Sequence, residues 1–274
     1  MLASSLALLL GLYAAGLIRV WNKAGVGSGI GVRQAVAFGA GWITLVAALS
    51  APMDEWSDQS LAAHMVQHEL LMIVAAPLIA LGAPMIAALW ALPSAVRCRT
   101  LEVTRLPILA GPWTILTSPA SAFFIYAITL WVWHIPRLYD LALADEHVHV
   151  VQHVCFLTTA TLFWWSLAHG RHGRAAYGAA VVYVFATAVH GGLLGALLTI
   201  SPRVWYLPYT TQHLSGFTTL EDQQLAGLLM WIPASIAFVA GGLMLFAGWL
   251  RLSDRRSRFN STLPVGPARI ERLP

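Results

Sequence analysis

Charged side chains are scarce in this sequence. Only 10% of its 274 residues are Asp, Glu, Lys or Arg, whereas soluble domains carry about 25%. Hydrophobic residues make up 58% of the chain, and the mean hydropathy is +0.69. The composition excludes an ordinary soluble domain and predicts a polytopic membrane protein.

Two further features are lacking. Cysteine occurs only at Cys98 and Cys155, without a CxxC motif, so we expect no disulfide framework. No basic residue precedes the first apolar run, whereas a secretory signal begins with basic residues. Arg19 and Lys23 follow that run instead, which predicts a retained first helix with its N-terminus outside. A cleaved signal peptide is the alternative.

Long apolar runs are what the sequence has in abundance. Runs of about 20 residues are long enough to cross a bilayer as helices. The predicted spans are 2–19, 33–51, 60–82, 119–138, 147–168, 176–200 and 224–250. The segment 84–92 is too short to span and predicts a half-helix or an interfacial helix. We therefore predict an all-α bundle of seven transmembrane helices, one domain over residues 1–250, with a polar, basic cytoplasmic tail over 251–274.

The distribution of positive charge predicts the orientation of this bundle. With the N-terminus outside, the four inner segments hold three, three, two and six Lys or Arg, which is fourteen of the sixteen. Only Arg137 and Arg203 fall on the outer side. Because Lys and Arg concentrate in cytoplasmic loops, this asymmetry places the C-terminus inside. It also accounts for the net charge of +4 through contact with anionic membrane lipid, so no nucleic-acid partner is expected.

The histidines are distributed as unevenly as the charges. His169 and His172 lie in a basic inner loop, where a solvated turn explains them. The other eight of the ten map to the outer half of the bundle; these are His64, His68, His134, His147, His149, His153, His190 and His213. Ionisable groups in membrane helices are costly and usually face the bundle interior or a water-filled cavity.

Two histidine pairs have the spacing of a metal site. His64 and His68 are four residues apart, and so are His149 and His153. Residues at this spacing lie one turn apart on the same helix face, where two imidazoles can ligate one ion. We predict that these four histidines bind a metal ion in the outer leaflet.

Other residues are predicted to support the site. Asp145 lies one turn before His149 and is either a ligand or a hydrogen-bond acceptor that orients a ring. Asp222 is either an acid at a helix N-terminus or a partner of the cluster. His134 lies near the same membrane surface, and Met72 is one turn beyond His68. Structural roles also fit individual members: His190 and His213 as interhelical hydrogen-bond donors, and Glu69 as a partner of another helix or a proton carrier.

The residues leave the ion and the protein class open. Imidazole suits copper, zinc and iron, while a nearby thioether favours Cu(I). Haem is the main alternative, although one i,i+4 pair cannot supply both axial ligands of one haem. A zinc-dependent intramembrane hydrolase would also use several histidines and acids. A transporter is a fourth possibility, because the segment SPRVWYLPYT could line a path.

Three blocks together resemble one known family. They are HMVQHELLMIVAAPLIALGAP, then WVWHIPRLYDLAL followed by HVHVVQHVCFLTTATLFWW, and finally DQQLAGLLMWIP. In this order they resemble the CtaG-type polytopic assembly factors of cytochrome c oxidase, which are associated with caa-type oxidases. The matching positions are His64, Gln67, His68, Pro77, Gly82, His134, Pro136, Tyr139, His149, His153, Asp222, Gln223, Gly227 and Trp231.

The resemblance implies a pathway. It implies a non-enzymatic factor of the bacterial inner membrane that helps to insert copper into a haem–copper oxidase. The implied partners are oxidase subunits and other copper chaperones. A haem-binding protein of the same pathway is the alternative. One departure is that the acids near His153 are Asp145 and Glu146, one to two turns earlier than in many members.

Overall fold

The described part of the chain is helical throughout. The computed structural model describes residues 2–169, 174–211 and 216–262, and no strand occurs within them. The α-helices are α1 (Leu2–Ala24), α2 (Val32–Ala48), α3 (Ala51–Gln59), α4 (Leu61–Glu69), α5 (Ala76–Leu81), α6 (Pro84–Ala91), α7 (Ser94–Thr104), α8 (Pro107–Leu116), α9 (Pro119–Trp133), α10 (Pro136–Ala144), α11 (Glu146–His169), α12 (Arg174–Ile200) and α13 (Thr219–Thr262). A π-helical turn (Leu70–Ala75) joins α4 to α5, and a 3₁₀ turn (Leu207–Thr211) precedes α13.

Five of the described helical segments are long and apolar enough to cross a membrane. They are Ser4–Ala24, Leu61–Leu81, Glu146–His169, Gly178–Ile200 and Thr219–Arg251. Two further spans exist if each of two bent pairs counts as one: α2 with α3, bent by 49°, and α8 with α9, bent by 62°. The all-helical prediction is confirmed. The described residues contain five to seven candidate spans, a range that includes the predicted seven.

Proline explains several of the helix boundaries. Residues 84, 107, 119 and 136 are prolines, and each stands at the beginning of a helix. Proline is favoured there because its missing N–H has no partner in the first turn of a helix. The predicted short segment 84–92 is indeed a separate helix, α6. The chain enters it through Ala83, whose φ of 54° is left-handed.

The predicted span 60–82 contains an irregularity that the apolar pattern did not predict. Pro77 cannot donate a hydrogen bond to the carbonyl four residues earlier, and its ring crowds the preceding turn. The turn Leu70–Ala75 widens just before it, and the Ala76 N–H bonds to Leu71, five residues back. A π-helical turn of this kind re-aims the side chains on either side of it.

Small residues allow the closest helix contacts. A Cβ on Gly16 of α1 would collide with the Ala87 carbonyl of α6. A Cβ on Gly227 of α13 would collide with the Gly195 carbonyl and the Thr199 side chain of α12. Gly227 therefore permits close contact between α12 and α13.

The segment α4 to α5 lies in the middle of the bundle. It packs against α2, α11 and α13, and much of it is shielded from the surroundings. By contrast, α7 and α8 have no buried residue. The last helix, α13, extends to Thr262, beyond the predicted boundary at 250. The domain division at 250 stays a prediction, and His172 and His213 lie outside the described residues.

Candidate metal centre

Four histidines from two helices converge at one point. His64 and His68 lie on α4, and His149 and His153 lie on α11. One ring nitrogen from each lies within 4.8 Å of the corresponding nitrogens of the other three. His64 is 0% exposed and His68 is 3% exposed, whereas His149 is only half-buried. The structure thus brings together the four predicted residues and leaves His149 as the most open of them.

The i,i+4 spacing explains how each helix contributes a pair. The ring centroids of His64 and His68 are 4.4 Å apart, and those of His149 and His153 are 4.2 Å apart. The two helices then bring the pairs together. The ring centroids of His68 and His153 are 5.2 Å apart, and those of His64 and His149 are 5.0 Å apart.

A hydrogen-bonded chain fixes the orientation of His64. The Tyr209 hydroxyl donates to the Ser57 carbonyl at 3.0 Å, so its oxygen is free to accept a hydrogen bond. His64 Nδ1 lies 2.9 Å from that oxygen and must therefore carry the proton. This assigns the tautomer of His64 and leaves its Nε2 with a free lone pair. Ligating histidines in metal sites are commonly held in this way.

The free lone pair of His64 faces the other histidines. Its Nε2 is 3.0 Å from Nε2 of His68. A hydrogen bond between them requires His68 to carry its proton on Nε2, and then its buried Nδ1 has no partner among the described residues. The buried Nε2 atoms of His149 and His153 likewise have none in the described part of the chain. Buried polar atoms without partners are rare in proteins, so this concentration requires an explanation.

A four-coordinate metal ion would provide that explanation. At metal–nitrogen distances of 2.0–2.1 Å, tetrahedral geometry separates neighbouring nitrogens by about 3.3 Å. The four nitrogens, all within 4.8 Å of one another, need only a small contraction to reach that arrangement. The residues present therefore fit a metal ion bound by four imidazoles.

Asp222 contacts the site through the beginning of α4. Its carboxylate accepts hydrogen bonds from the Ser60 hydroxyl and from the Leu61 N–H, both at 2.7 Å. The Ser60 oxygen in turn accepts from the Ala63 N–H and caps α4. Asp222 is 8% exposed, so these bonds are shielded from water. It anchors the helix that carries His64 and His68.

Asp145 lies just before the helix that carries His149 and His153. That helix, α11, begins at Glu146, and Asp145 has an extended backbone. Its exposed side chain caps α11, accepting from the N–H groups of His147 and Val148 at 2.8 Å and 3.3 Å. Asp145 thus begins the helix of the two histidines, and its predicted role as a ligand or as an acceptor that orients a ring stays a prediction.

His134 lies beside the four-histidine group. It is 3% exposed, and its Nδ1 donates to the Leu130 carbonyl at 2.7 Å. Its buried Nε2 has no hydrogen-bond partner within the residues that the structure describes. The ring centroid of Phe156 lies 4.7 Å from that of His68 and 5.9 Å from that of His134. His134 therefore shares an aromatic neighbour with the cluster.

The remaining candidates occupy different positions. Met72 is buried in the π-helical turn, and its carbonyl accepts a hydrogen bond from Trp164. Glu69 lines a small apolar notch of about 180 Å³ beside Pro233, and its Oε2 has no hydrogen-bond partner among the described residues. The ring of His190 contacts Phe123 and Tyr126, and its two nitrogens likewise find no described partner. The described residues thus show no hydrogen bond between helices for His190 or for the Oε2 atom of Glu69.

Sequence reasoning missed Tyr209. The segment SPRVWYLPYT was interpreted only as a possible transport path, although it carries two tyrosines. Both are buried: Tyr209 binds His64, and the Tyr206 hydroxyl donates to the His134 carbonyl at 3.0 Å. The available signal was a pair of tyrosines in a loop predicted to lie on the same side as the histidines.

Two curated proteins are similar to most of this chain. Two curated relatives, uncharacterised proteins of Mycobacterium bovis and Mycobacterium tuberculosis, are each 25% identical over 89% of this chain. The chain spans only 37% of the length of these relatives. No solved structure matches.

The family comparison covers most of the chain. Residues 11–252 match the family described as cytochrome c oxidase caa3 assembly factor, and this range contains all four clustered histidines, His134 and Asp222. The resemblance predicted from the three sequence blocks is thereby confirmed, and the chain belongs to the Caa3_CtaG family of cytochrome c oxidase assembly factors.

Proposed function

We propose that this protein holds a copper ion, as Cu(I), at the four-histidine cluster and passes it to a subunit of a haem–copper oxidase during assembly. The observation that carries the proposal is the convergence of four ring nitrogens within 4.8 Å, three of them on largely buried rings. Family membership supports the pathway, because the family is one of oxidase assembly factors. The ion is cargo in this proposal, and no bond chemistry is expected.

The donor set favours copper over the alternatives. The two axial ligands of a haem stand on opposite sides of a flat ring, whereas here His64 and His68 already approach to 3.0 Å. A catalytic zinc site keeps one position open for water, while four histidines close the coordination shell. Imidazole also suits copper, and the thioether of Met72, one turn beyond His68, would favour Cu(I) if it approached the ion.

Different histidines would serve different steps. His64 is buried and held by Tyr209, so it would act as a fixed ligand. His149 is half-buried on the other helix and would be the ligand that meets an incoming ion and releases an outgoing one. Asp222 would keep His64 and His68 in position, because it anchors the beginning of α4.

Metal and haem analysis of the purified protein tests the proposal. Protein purified without added metal is expected to contain about one copper per chain and no Soret band. The variant with alanine at His64, His68, His149 and His153 should contain none, because every ligand is lost. Equal copper in the two proteins would contradict the site, and a Soret band would favour haem.

We further propose that the cluster faces the outer side of the bacterial inner membrane, where it would meet oxidase subunits and other copper chaperones, and that the basic inner segments contact membrane lipid. The support is the Lys and Arg distribution.

Thiol labelling of intact cells with a membrane-impermeant reagent tests this orientation. Cys98 is exposed on α7, which lies in a predicted inner segment, so it should be labelled only after the cells are opened. A cysteine placed at Glu55, exposed on α3, in a Cys98→Ser background should be labelled in intact cells. The reverse pattern would overturn the orientation.

A further inference from the structure

An apolar groove lies between α1 and α6 on one side and α2, α5 and α11 on the other. Its volume is about 440 Å³, and its walls include Leu12, Phe38, Met85 and Leu162. Leu12 and Met85 are exposed, whereas Phe38 is buried and belongs to the hydrophobic core. The groove therefore leads from the surface of the bundle into its core, and its volume lies within the range of about 300–1,000 Å³ that is typical of small-molecule sites.

The walls of this groove favour a hydrocarbon chain as the occupant. The Tyr13 hydroxyl donates to the Gly82 carbonyl at 2.9 Å, and the Thr158 hydroxyl donates to the Val154 carbonyl at 2.6 Å. Both protons are thus engaged within the protein, and most of the other side chains in the walls are aliphatic or aromatic. Polar groups of a ligand placed here would lose their bonds to water without gaining new ones, which is costly.

Three cations meet beyond one end of the groove. Nη1 of Arg19 donates to the carbonyls of Trp90 and Ala91 at the end of α6. Nζ of Lys23 lies 5.7 Å from the centroid of the Trp90 ring, and Cζ of Arg97 lies 4.2 Å from it. Among the described residues, no carboxylate forms an ion pair with any of the three. Arg19, Lys23 and Arg97, here named the Trp90 cation cluster, can therefore bind an external anion.

The groove and the Trp90 cation cluster are continuous along two helices. On α1, Leu12, Arg19 and Lys23 follow one another at intervals of seven and four residues and so lie on one helix face. On α6, Ala88 lines the groove, and Trp90 is two residues further along. Leu12 and Arg19 are about 10 Å apart along the axis of α1. A phospholipid covers such a separation between its phosphate and its acyl chains.

Simpler explanations account for only part of this arrangement. Lysine and arginine are common at the ends of membrane helices, and that tendency concerns orientation alone. It gives no reason for cations from α1 and α7 to meet at one tryptophan beside a groove into the core. A helix of a partner protein also fits poorly. One helical turn, about 10 Å wide and 5.4 Å long, already occupies about 420 Å³, so the groove has room for only one turn of a spanning helix.

We propose that this protein binds one anionic phospholipid, with the phosphate at the Trp90 cation cluster and an acyl chain in the groove. Arg19 is the central contact, because its Nη1 is held by α6 while Nε and Nη2 keep N–H donors for the phosphate. The acyl chain fills the space between α1 with α6 and α11, so the bound lipid stabilises the folded bundle. This inference is independent of the four-histidine cluster.

Native mass spectrometry of the delipidated protein tests the site. The protein in detergent is offered phosphatidylglycerol and phosphatidylcholine with identical acyl chains, which differ in net charge. The wild type is expected to retain one phosphatidylglycerol per chain in preference to phosphatidylcholine. Because each cation near an anionic lipid contributes about fivefold to binding, the Arg19→Gln/Lys23→Gln/Arg97→Gln variant should lose this preference.

A second triple variant controls for net charge. Arg33→Gln/Arg99→Gln/Arg105→Gln removes the same charge from exposed positions outside the Trp90 cation cluster, and it should keep the wild-type preference. The single Lys23→Gln change is at an exposed position, and it should weaken phosphatidylglycerol binding about fivefold. It keeps the test decisive if the first triple variant does not fold.

A matched pair of tryptophan variants tests the groove. Ala88 is exposed and lines the groove, so Ala88→Trp should fill it and reduce the retention of both lipids. Ala40 is exposed on α2 and is not part of the lining, so Ala40→Trp should retain lipid like the wild type. Added phosphatidylglycerol should also raise the unfolding temperature of Ala40→Trp but not that of Ala88→Trp.

Three results would overturn this inference. Equal lipid preference in the two triple variants would show that net charge alone attracts the lipid. Retention of many phosphatidylglycerol molecules by the wild type without saturation would indicate a lipid shell rather than a site. A different apolar molecule that the wild type retains and Ala88→Trp loses would identify another occupant. None of these results bears on the copper content of the protein, so the proposed function is tested separately.

Discussion

Replacing His64 with alanine is expected to weaken copper binding more than any other single substitution in the cluster. His64 is fully buried, its Nε2 faces His68 at 3.0 Å, and its Nδ1 is held by Tyr209. The substitution removes a ligand and leaves the Tyr209 oxygen without its donor. His149→Ala should cost less affinity, because His149 is half-buried and water can take its place on the ion.

A weaker substitution gives a lower limit for the loss of copper affinity in His64→Ala. Losing a group that hydrogen-bonds to a ligand typically costs about 10–100-fold in metal affinity. Tyr209→Phe is such a change and should fall within that range, so His64→Ala should exceed it. Tyr206→Phe is the matched control, because its hydroxyl bonds to the His134 carbonyl rather than to one of the four clustered histidines.

Competition with a Cu(I) chelator measures these affinities. The expected order of affinity loss is His64→Ala, then Tyr209→Phe, with Tyr206→Phe near the wild type. His190→Ala removes a membrane histidine outside the four-nitrogen group and should also leave the affinity unchanged. Equal chelator concentrations for half-removal of copper from His64→Ala and His190→Ala would exclude His64 as a ligand.

The histidine cluster could be predicted because each of its pairs is formed by residues that are close together in the sequence. Each i,i+4 pair is determined by helix periodicity alone, so the pairs on α4 and α11 follow once both segments are recognised as helices. Bringing the two pairs together required one more inference, that polar groups in a membrane bundle face its interior. The structure agrees, with the four nitrogens close together and His64 among the most buried side chains.

Tyr209 could not be predicted as a partner of the cluster, because its contact with His64 joins chain positions that are far apart. Tyr209 reaches His64 across 145 residues from a loop without helical periodicity. The capping role of Asp145 was not predicted either, because it depends on the residue at which α11 begins. Apolar runs likewise revealed the spans but not their breaks, such as the π-helical turn before Pro77.

Replacing Asp222 with alanine is expected to destabilise the protein by about 3 kcal/mol, since hydrogen bonds to a charged group contribute about 1.5–3 kcal/mol each. The buried carboxylate bonds to the Ser60 hydroxyl and the Leu61 N–H, and α4 and α13 are joined there across 162 residues of sequence. Unfolding in detergent by heat or denaturant, with helicity as the signal, measures the loss.

A double-mutant cycle with Ser60→Ala separates anchoring from general destabilisation. If Asp222 acts through Ser60, which caps α4 at Ala63, the two substitutions together should cost less than the sum of their separate effects. Copper affinity should fall in both single variants, because the helix that loosens carries His64 and His68. Additive stability losses with unchanged copper affinity would show that Asp222 joins two helices without influencing the site. The expected coupling would instead make the beginning of α4 the point through which α13 controls the geometry of the histidines.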